Sequence, residues 1–252
     1  MKKDVFFRIF IISIFVMLFA SCNSDLGNNG SIKLGDIVLS NNAIISVDEL
    51  SDFTMNEYAK PMGVIVDVSS DGEKATMLGL ECSSRSMSWA PRETTGFDTM
   101  FEGIKATRQG SVESGYTFSG DSDGSDNWKV VCEVDREGVL DAKTNYPAYN
   151  YVNTYGLYAS NLTSKYVNNW YLPSIMQLYD LYLNRKIVQK SLSAVDGFDL
   201  ESKWYWSSSQ AFSNNNGVYG VVFSNGEVSN VYKYCPGGYV LVFHDIKIKD
   251  FF

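Results

Sequence analysis

The sequence contains few of the residues that carry most enzymatic and metal chemistry. Its 252 residues include a single histidine, His244, and four cysteines, Cys22, Cys82, Cys132 and Cys235. A serine or cysteine nucleophile needs a neighbouring base, most often a histidine, and His244 has no evident partner in the sequence. A zinc site needs cysteines and histidines at close spacing, which this sequence does not have. We therefore expect a protein that is not an enzyme and that uses no cofactor.

The chain also lacks an excess of positive charge. It has 21 lysines and arginines against 29 aspartates and glutamates, a formal net charge of −8. Nucleic-acid binding needs a basic surface that neutralises phosphates, so we expect no nucleic-acid partner. Aromatic residues are abundant instead, at 14% with 16 tyrosines, which favours packing and molecular recognition.

The longest apolar run lies at the N-terminus and is too short to span a membrane comfortably. A basic start precedes the apolar segment Ile9 to Ala20, and Cys22 follows small residues. This is the pattern of a signal peptide, and its end resembles a bacterial lipobox, in which Cys22 is lipidated, with Phe19 where leucine is usual. We predict a lipoprotein signal peptide over residues 1–21, a flexible tether over 22–31 and a folded domain over 32–252. The alternative is a soluble exported protein with an ordinary cleavage site.

The three cysteines after Cys22 are an odd number, so at most one intramolecular disulfide can form among them. Cys82, Cys132 and Cys235 form no CxxC pair. Because free cysteine is among the most buried residue types, we expect buried thiols in a structural role.

The N-terminal half of the domain reads mostly as β-strand. A strand-like segment spans Lys33 to Ser40, and Pro61 to Val68 with Ala75 to Leu80 read as a hairpin around a Ser-Ser-Asp-Gly loop. Residues 83–129 show little pattern, and we predict only a short helix at Phe97 to Thr107. Long irregular stretches in a compact domain are usually functional or packed by their own side chains.

Two helices are predicted in the second half. Asn145 to Tyr155 has aromatic and apolar residues at helical spacing with Pro147 in the first turn. Ser174 to Asn184 begins with Ser174 and Gln177, an S-x-x-Q capping box, followed by an apolar stripe that we expect to be core.

The stretch from Trp204 to Tyr239 combines strands with a composition typical of binding loops. Val218 to Phe223 and Glu227 to Tyr234 read as a hairpin around Asn225-Gly226, and Tyr239 to Phe243 reads as a closing strand. Six serines, five asparagines, five tyrosines and five glycines fill this stretch, with Glu227 and Lys233 as its only charges. Paratopes use the same mixture, since tyrosine gives contact area at low entropic cost.

Four motifs in this order resemble a known family. They are WYLPS at Trp170 to Ser174, YWSSS at Tyr205 to Ser209, VVFSNG at Val221 to Gly226 and the pair Tyr239-Val240. The chain resembles the bacterial C-type lectin-like domains related to formylglycine-generating enzyme, which include the variable proteins of diversity-generating retroelements. The resemblance implies an α+β, C-type lectin-like fold with two helices, short antiparallel sheets and long irregular loops. It departs from the pattern at Tyr219, where tryptophan is common, and after Val240, where an arginine is usual.

The resemblance also implies where a ligand binds, because such variable proteins display diversified residues near the C-terminus. Tyr219, Val221 and Phe223 should be buried, and strand alternation supports that direction independently. The implied ligand-binding residues face outward and are Gln210, Phe212, Asn214, Asn215, Asn216, Gly220, Val222, Asn230, Tyr232 and Tyr234.

Two other chemistries are weaker readings of the sequence. Asp121, Asp123 and Asp126 form an oxygen-rich stretch that is a weak calcium candidate, although turn formation explains the same residues. Catalysis like that of formylglycine-generating enzyme requires a pair of reactive cysteines near the C-terminus, and Cys235 stands alone there.

We therefore expect a lipid-anchored envelope protein, in the outer membrane or on the cell surface, whose C-terminal region binds a protein or glycan as a retroelement-diversified receptor or adhesin. The membrane is a partner through the lipid anchor. The alternative is a structural envelope lipoprotein without a diversified surface or catalytic activity.

Overall fold

The computed structural model describes residues 31–50 and 59–251. The described residues from Ile32 onward form one compact unit. The predicted signal peptide, Cys22 and the tether up to residue 30 lie outside the described residues. The ten strands of the described part are β1 (Ile37–Leu39), β2 (Ile44–Ile45), β3 (Pro61–Val68), β4 (Lys74–Gly79), β5 (Lys105–Ser111), β6 (Gly115–Gly120), β7 (Trp204–Ala211), β8 (Gly217–Val222), β9 (Glu227–Tyr232) and β10 (Phe243–Lys247).

The strands form two sheets of five. The first sheet has the order β10-β4-β3-β1-β2 and is antiparallel throughout, so the last strand of the chain pairs with an early one. The second sheet has the order β6-β5-β7-β8-β9 and is antiparallel except where β5 runs parallel to β7. The parallel pair brings the hairpin from the poorly patterned region beside the C-terminal strands.

Most of the helices lie in the chain between β6 and β7. The five α-helices of the described residues are α1 (Thr95–Asp98), α2 (Asn127–Val134), α3 (Ala142–Asn145), α4 (Pro147–Thr154) and α5 (Ile175–Ala194). The architecture is therefore α+β. None of the helices in residues 31–50 and 59–251 combines the length and apolar character needed to cross a membrane.

The strongest local signals of the sequence are confirmed. The β3–β4 hairpin forms as predicted, and Pro147 opens α4. Ser174 Oγ accepts a hydrogen bond from the Gln177 backbone, while Gln177 Oε1 accepts one from the Ser174 N–H. This capping box fixes the start of α5, which runs ten residues beyond the predicted end at Asn184.

Two predicted elements are wrong. Residues 97–107 are not one helix, because α1 ends at Asp98, a 3₁₀ turn spans Glu102–Ile104, and β5 begins at Lys105. Residues 239–242 are not a strand, although they are mostly buried; the strand begins at Phe243. In both places pairing with distant chain segments overrides the local pattern.

The YWSSS motif ties the second sheet to the rest of the domain. The hydroxyl of Ser207 donates to the carbonyl of Tyr219 on β8 (2.8 Å), and the Ser209 hydroxyl donates to Asp121 (2.6 Å). Ser209 Oγ also accepts from the N–H of Ile175 at the start of α5 (2.8 Å). These buried serines satisfy backbone groups inside the fold, so they are scaffold and not binding surface.

Candidate functional site: an aromatic patch beside the last hairpin

The end of β9 carries side chains that lie near a loop far away in sequence. The rings of Tyr232 and Tyr234 stack with centroids 5.7 Å apart and planes 19° from parallel. The Arg92 guanidinium lies 4.2 Å from the centroid of the Tyr234 ring, and the Phe97 ring meets Tyr234 edge-on at 5.6 Å. We call Arg92, Phe97, Tyr232 and Tyr234 the aromatic patch.

The outer end of this patch faces solvent. Tyr232 is 54% exposed, whereas Tyr234 is half-buried between its neighbours. An exposed tyrosine ring held by a second ring keeps its apolar face and its hydroxyl available to a partner. The stacking on Tyr234 restricts the Tyr232 ring to one orientation.

Lys233, between the two tyrosines, points the opposite way. It is fully buried, and its Nζ donates to the carbonyls of Gly96 (2.8 Å) and Thr99 (2.7 Å). The same Nζ lies 5.0 Å from the ring centroid of Trp89 and 4.8 Å from that of Phe101. Burial lowers the pKa of the Lys233 amine to about 7, against the attraction of the Asp98 carboxylate. Lys233 therefore points into the fold, on the side opposite to the exposed Tyr232 ring.

The asparagine loop before β8 is ordered by its own side chains. Asn215 Nδ2 donates to the carbonyl of Asp98 (2.8 Å), and Asn216 Nδ2 donates to the Asp98 carboxylate (2.6 Å). Asn214 Oδ1 accepts from the N–H of Asn216 (2.9 Å). The asparagine side chains, which the sequence predicts as adaptable hydrogen-bonding groups, therefore already bond within the loop and to Asp98.

Glycine at position 217 lets this loop approach the aromatic patch. A Cβ there would lie 2.2 Å from Asn230 Oδ1 and 3.1 Å from Asn214 Nδ2, so both side chains cover Gly217. Gly217 is also the residue paired with Tyr232 across the hairpin. Asn214 and Asn230 thus meet at Gly217, directly across the hairpin from Tyr232.

Other predicted residues lie apart from this cluster. Val222 is half-buried and pairs with Glu227 at the turn end of the hairpin, opposite to the end where Tyr232 lies. Phe212 is 61% exposed, with the Lys105 amine 4.7 Å from its ring centroid. Phe212 is therefore accessible, while Val222 offers little surface.

The prediction that Gln210 and Gly220 face outward is wrong. Gln210 is fully buried, and its amide accepts from the N–H of Phe101 (2.7 Å) and donates to the carbonyls of Thr99 and Asn215. Gly220 is buried under Trp204, whose ring atoms a Cβ would meet at 2.6 Å. The direction of Gln210 changes because the pairing of β7 with β8 is irregular between Trp206 and Gln210, which shifts the alternation of side chains.

The three weak calcium candidates, Asp121, Asp123 and Asp126, do not converge on one point in the fold. Asp121 Oδ2 accepts from Ser209 Oγ and from Asn127 Nδ2 (2.7 Å), and burial raises the pKa of this carboxyl to about 6. Asp123 Oδ1 accepts from the N–H of Ser125 (2.9 Å), where it caps a 3₁₀ turn. In the part of the chain that the structure describes, no three carboxylate, cysteine or histidine side chains converge as metal ligands. Asp121 and Asp123 instead form hydrogen bonds that hold the segment before α2 in place.

The three cysteines of the described domain are unpaired and only partly buried. The expectation of buried thiols is therefore met in part. Lys203 Nζ lies 3.1 Å from the sulfur of Cys82.

Arg92 and Phe97 are the patch residues that sequence analysis missed. Both lie in the poorly patterned region, more than 130 residues before Tyr232. A cation–π contact across that separation leaves no local periodic signal, so only the fold could reveal it.

The buried amine of Lys233 makes stability dependent on pH. Its pKa is about 7 in the fold and about 10.5 in the unfolded chain, so between these values the unfolded chain binds more protons. We expect the free energy of unfolding to rise by about 1 kcal/mol per pH unit from pH 7 to 9 because of this group. Chemical denaturation at pH 7, 8 and 9 measures it.

Lys233→Met should remove most of this slope, and Lys247→Met, at an exposed position of β10, is the matched control that should keep it. If the free energy of unfolding of Lys233→Met still rises with pH as in the unmodified protein, Lys233 is not the source of the pH dependence.

Comparison with known proteins finds a similar fold but identifies no family. No protein-family model and no curated protein matches the chain. Among solved structures, the chain is similar to a fimbrial protein from Bacteroides ovatus ATCC 8483, with a TM-score of 0.54 and 15% sequence identity. The match covers 86% of this chain and 49% of that protein, so the chain spans about half of its length. At this identity the likeness shows the fold alone.

Proposed function

We propose that the protein is an exported, lipid-anchored protein of the cell envelope that binds a macromolecular ligand through the aromatic patch. The observation that carries the proposal is the exposed Tyr232 ring, stacked on Tyr234 and backed by Arg92. We further propose that the α+β scaffold is C-type lectin-like, which the order of the WYLPS and YWSSS motifs supports.

The composition of the patch suits recognition. Tyrosine and arginine are over-represented among the residues that dominate binding energy in interfaces. A ring that is already fixed by stacking loses little conformational freedom on binding, which lowers the entropic cost. The ordered asparagine loop beside it provides polar groups at the rim of such a contact.

The resemblance of the fold to a fimbrial protein supports placement at the cell surface. The same resemblance favours a second candidate function, a structural subunit of a surface fibre. A structural subunit makes regular contacts with copies of itself or with other subunits, whereas a receptor or adhesin captures a foreign ligand. Self-association of the purified protein therefore favours the second candidate.

We propose a binding protein and not an enzyme. The single histidine is buried, and burial lowers the pKa of His244. Its Nε2 lies 3.1 Å from the backbone carbonyl of Asn168. This arrangement supports a neutral structural imidazole better than a general base beside a nucleophile.

Truncating the aromatic patch should weaken binding strongly with little loss of stability. Tyr232→Ala should change the free energy of unfolding by less than about 0.5 kcal/mol, since the ring is exposed. Adding Tyr234→Ala should cost about 1 kcal/mol more, because Phe97 loses its ring partner. We expect at least about tenfold weaker adherence of protein-coated beads to a panel of epithelial and bacterial cells, counted by flow cytometry.

The matched control is Leu140→Ala with Leu157→Ala, which removes exposed apolar side chains elsewhere on the domain. Equal loss of adherence in the control and in the tyrosine variant would show that adherence is nonspecific.

If the region is diversified by a retroelement, sibling isolates should differ at the exposed residues and not at the buried ones. We expect variation at Phe212, Asn230, Tyr232, Tyr234 and the asparagines at 214–216. Gln210 and Gly220 should stay constant, because both are enclosed by the fold. Sequencing the 3′ end of the coding region, together with a search for a flanking reverse transcriptase, tests this. Uniform variation along the whole domain contradicts the proposal.

The anchor proposal is tested at Cys22. Cys22→Ala should move the protein from the detergent phase to the aqueous phase in Triton X-114 partitioning, because a lipidated cysteine supplies the membrane affinity. A variant that still partitions into detergent rules out lipidation at this residue.

A further inference from the structure

The thiol of Cys82 and the side-chain amine of Lys203 meet in the fold, although 121 residues separate them in the sequence. The distance between the sulfur and Nζ is 3.1 Å. Cys82 follows β4 of the first sheet and Lys203 precedes β7 of the second, so the contact links segments that belong to different sheets. We call Cys82 and Lys203 the thiol–amine pair.

The Lys203 amine is directed at this sulfur and not at a carboxylate. Within residues 31–50 and 59–251, Lys203 takes part in no ion pair, and nearby Glu201 pairs with Arg185 instead (3.5 Å). The amine also lies 4.5 Å from the centroid of the Tyr239 ring. The neighbours that the structure gives to the amine are therefore an aromatic ring and a thiol.

The backbone is held in place on both sides of the contact. Ser83, next to Cys82, donates its N–H to the carbonyl of Val240 (3.0 Å), and its hydroxyl accepts from the Val240 N–H (3.0 Å). The carbonyl of Lys203 accepts from the N–H of Phe223 (3.0 Å). Cys82 and Lys203 are both half-buried, so they stay close together while a molecule as small as dioxygen can reach them.

The other two thiols of the described domain lack such a neighbour. Cys132 and Cys235 are also unpaired and half-buried, but in the part of the chain that the structure describes neither sulfur contacts a lysine amine. Burial, together with the Glu133 carboxylate, raises the pKa of the Cys132 thiol, which disfavours the reactive thiolate. Cys82 is therefore the thiol that has an amine beside it.

We propose that the thiol–amine pair is an oxidative cross-linking site, in which dioxygen joins Cys82 to Lys203 through one oxygen atom. One bond forms between the sulfur and this oxygen, and another between the same oxygen and Nζ. The S–H bond, one N–H bond of the neutral amine and the O–O bond break, and the second oxygen leaves as water with both hydrogens. The thiol and the amine each lose two electrons, and dioxygen accepts all four. The sulfur reaches the oxidation level of a sulfenic acid, the first step of thiol oxidation.

This bridge supplies a covalent tie between the two sheets. Cys82, Cys132 and Cys235 form no disulfide with one another, and the bridge closes a long loop between residues 82 and 203. Cross-links across long loops stabilise a fold mainly by restricting the unfolded chain. The inference does not depend on the proposed anchor or ligand, because neither residue belongs to the aromatic patch.

Mass spectrometry of tryptic peptides tests the proposal. Purified protein is held in air-saturated buffer at pH 9, where more of each thiol and amine is deprotonated than at pH 7, and a parallel sample is kept under argon. Digestion without reductant should release residues 75–85 joined to residues 191–233, since a bridged Lys203 is no longer cleaved by trypsin. The joined peptides should exceed the sum of the two by about 14 Da, the mass of dioxygen less that of water. The argon sample should lack them.

Three variants locate the link, each checked for an unchanged circular dichroism spectrum. Lys203→Arg keeps the positive charge but removes the primary amine, and Cys82→Ser removes the sulfur, so both should abolish the joined peptides. Cys132→Ser is the matched control, which removes a half-buried thiol elsewhere and should keep them. Dithiothreitol should restore the Cys82 thiol, because a thiolate displaces the oxygen at the sulfur.

Two results would overturn the proposal. One is the absence of the joined peptides from the aerated unmodified protein, with Cys82 recovered as a free thiol or as its sulfinic or sulfonic acid. The other is an equal amount of joined peptides in Lys203→Arg and in the unmodified protein, which would show that Lys203 is not the residue linked.

Discussion

The second half of the domain depends on how Lys233 is held. Its N–H donates to the carbonyl of Asn216 (2.8 Å), and its own carbonyl accepts from the N–H groups of Trp89 (2.8 Å) and Ala90 (3.1 Å). Its amine donates to the carbonyls of Gly96 and Thr99. One residue therefore joins the last hairpin, the asparagine loop and the early irregular segment. An ionisable group is costly to bury, and here its hydrogen bonds replace those it makes to water.

This arrangement explains how one short segment can be both scaffold and surface. Lys233 and Gln210 point inward and bond to overlapping backbone groups, since both donate to the carbonyl of Thr99. Tyr232 is exposed beside them, and Tyr234 is half-buried. Within this tyrosine- and asparagine-rich stretch, some polar residues are therefore part of the scaffold, and others are exposed at the surface.

The sequence by itself determined the elements whose signals are local. The β3–β4 hairpin, the start of α4 at Pro147 and the capping box at Ser174 follow from turn chemistry, proline geometry and side-chain caps within a few residues. Tertiary structure alone decided that Gln210 is buried, that β5 pairs with β7, and that Arg92 reaches Tyr234. These features depend on contacts between segments about 100 or more residues apart. No local periodicity encodes such contacts, because their energy comes from packing and hydrogen bonds that exist only in the folded chain.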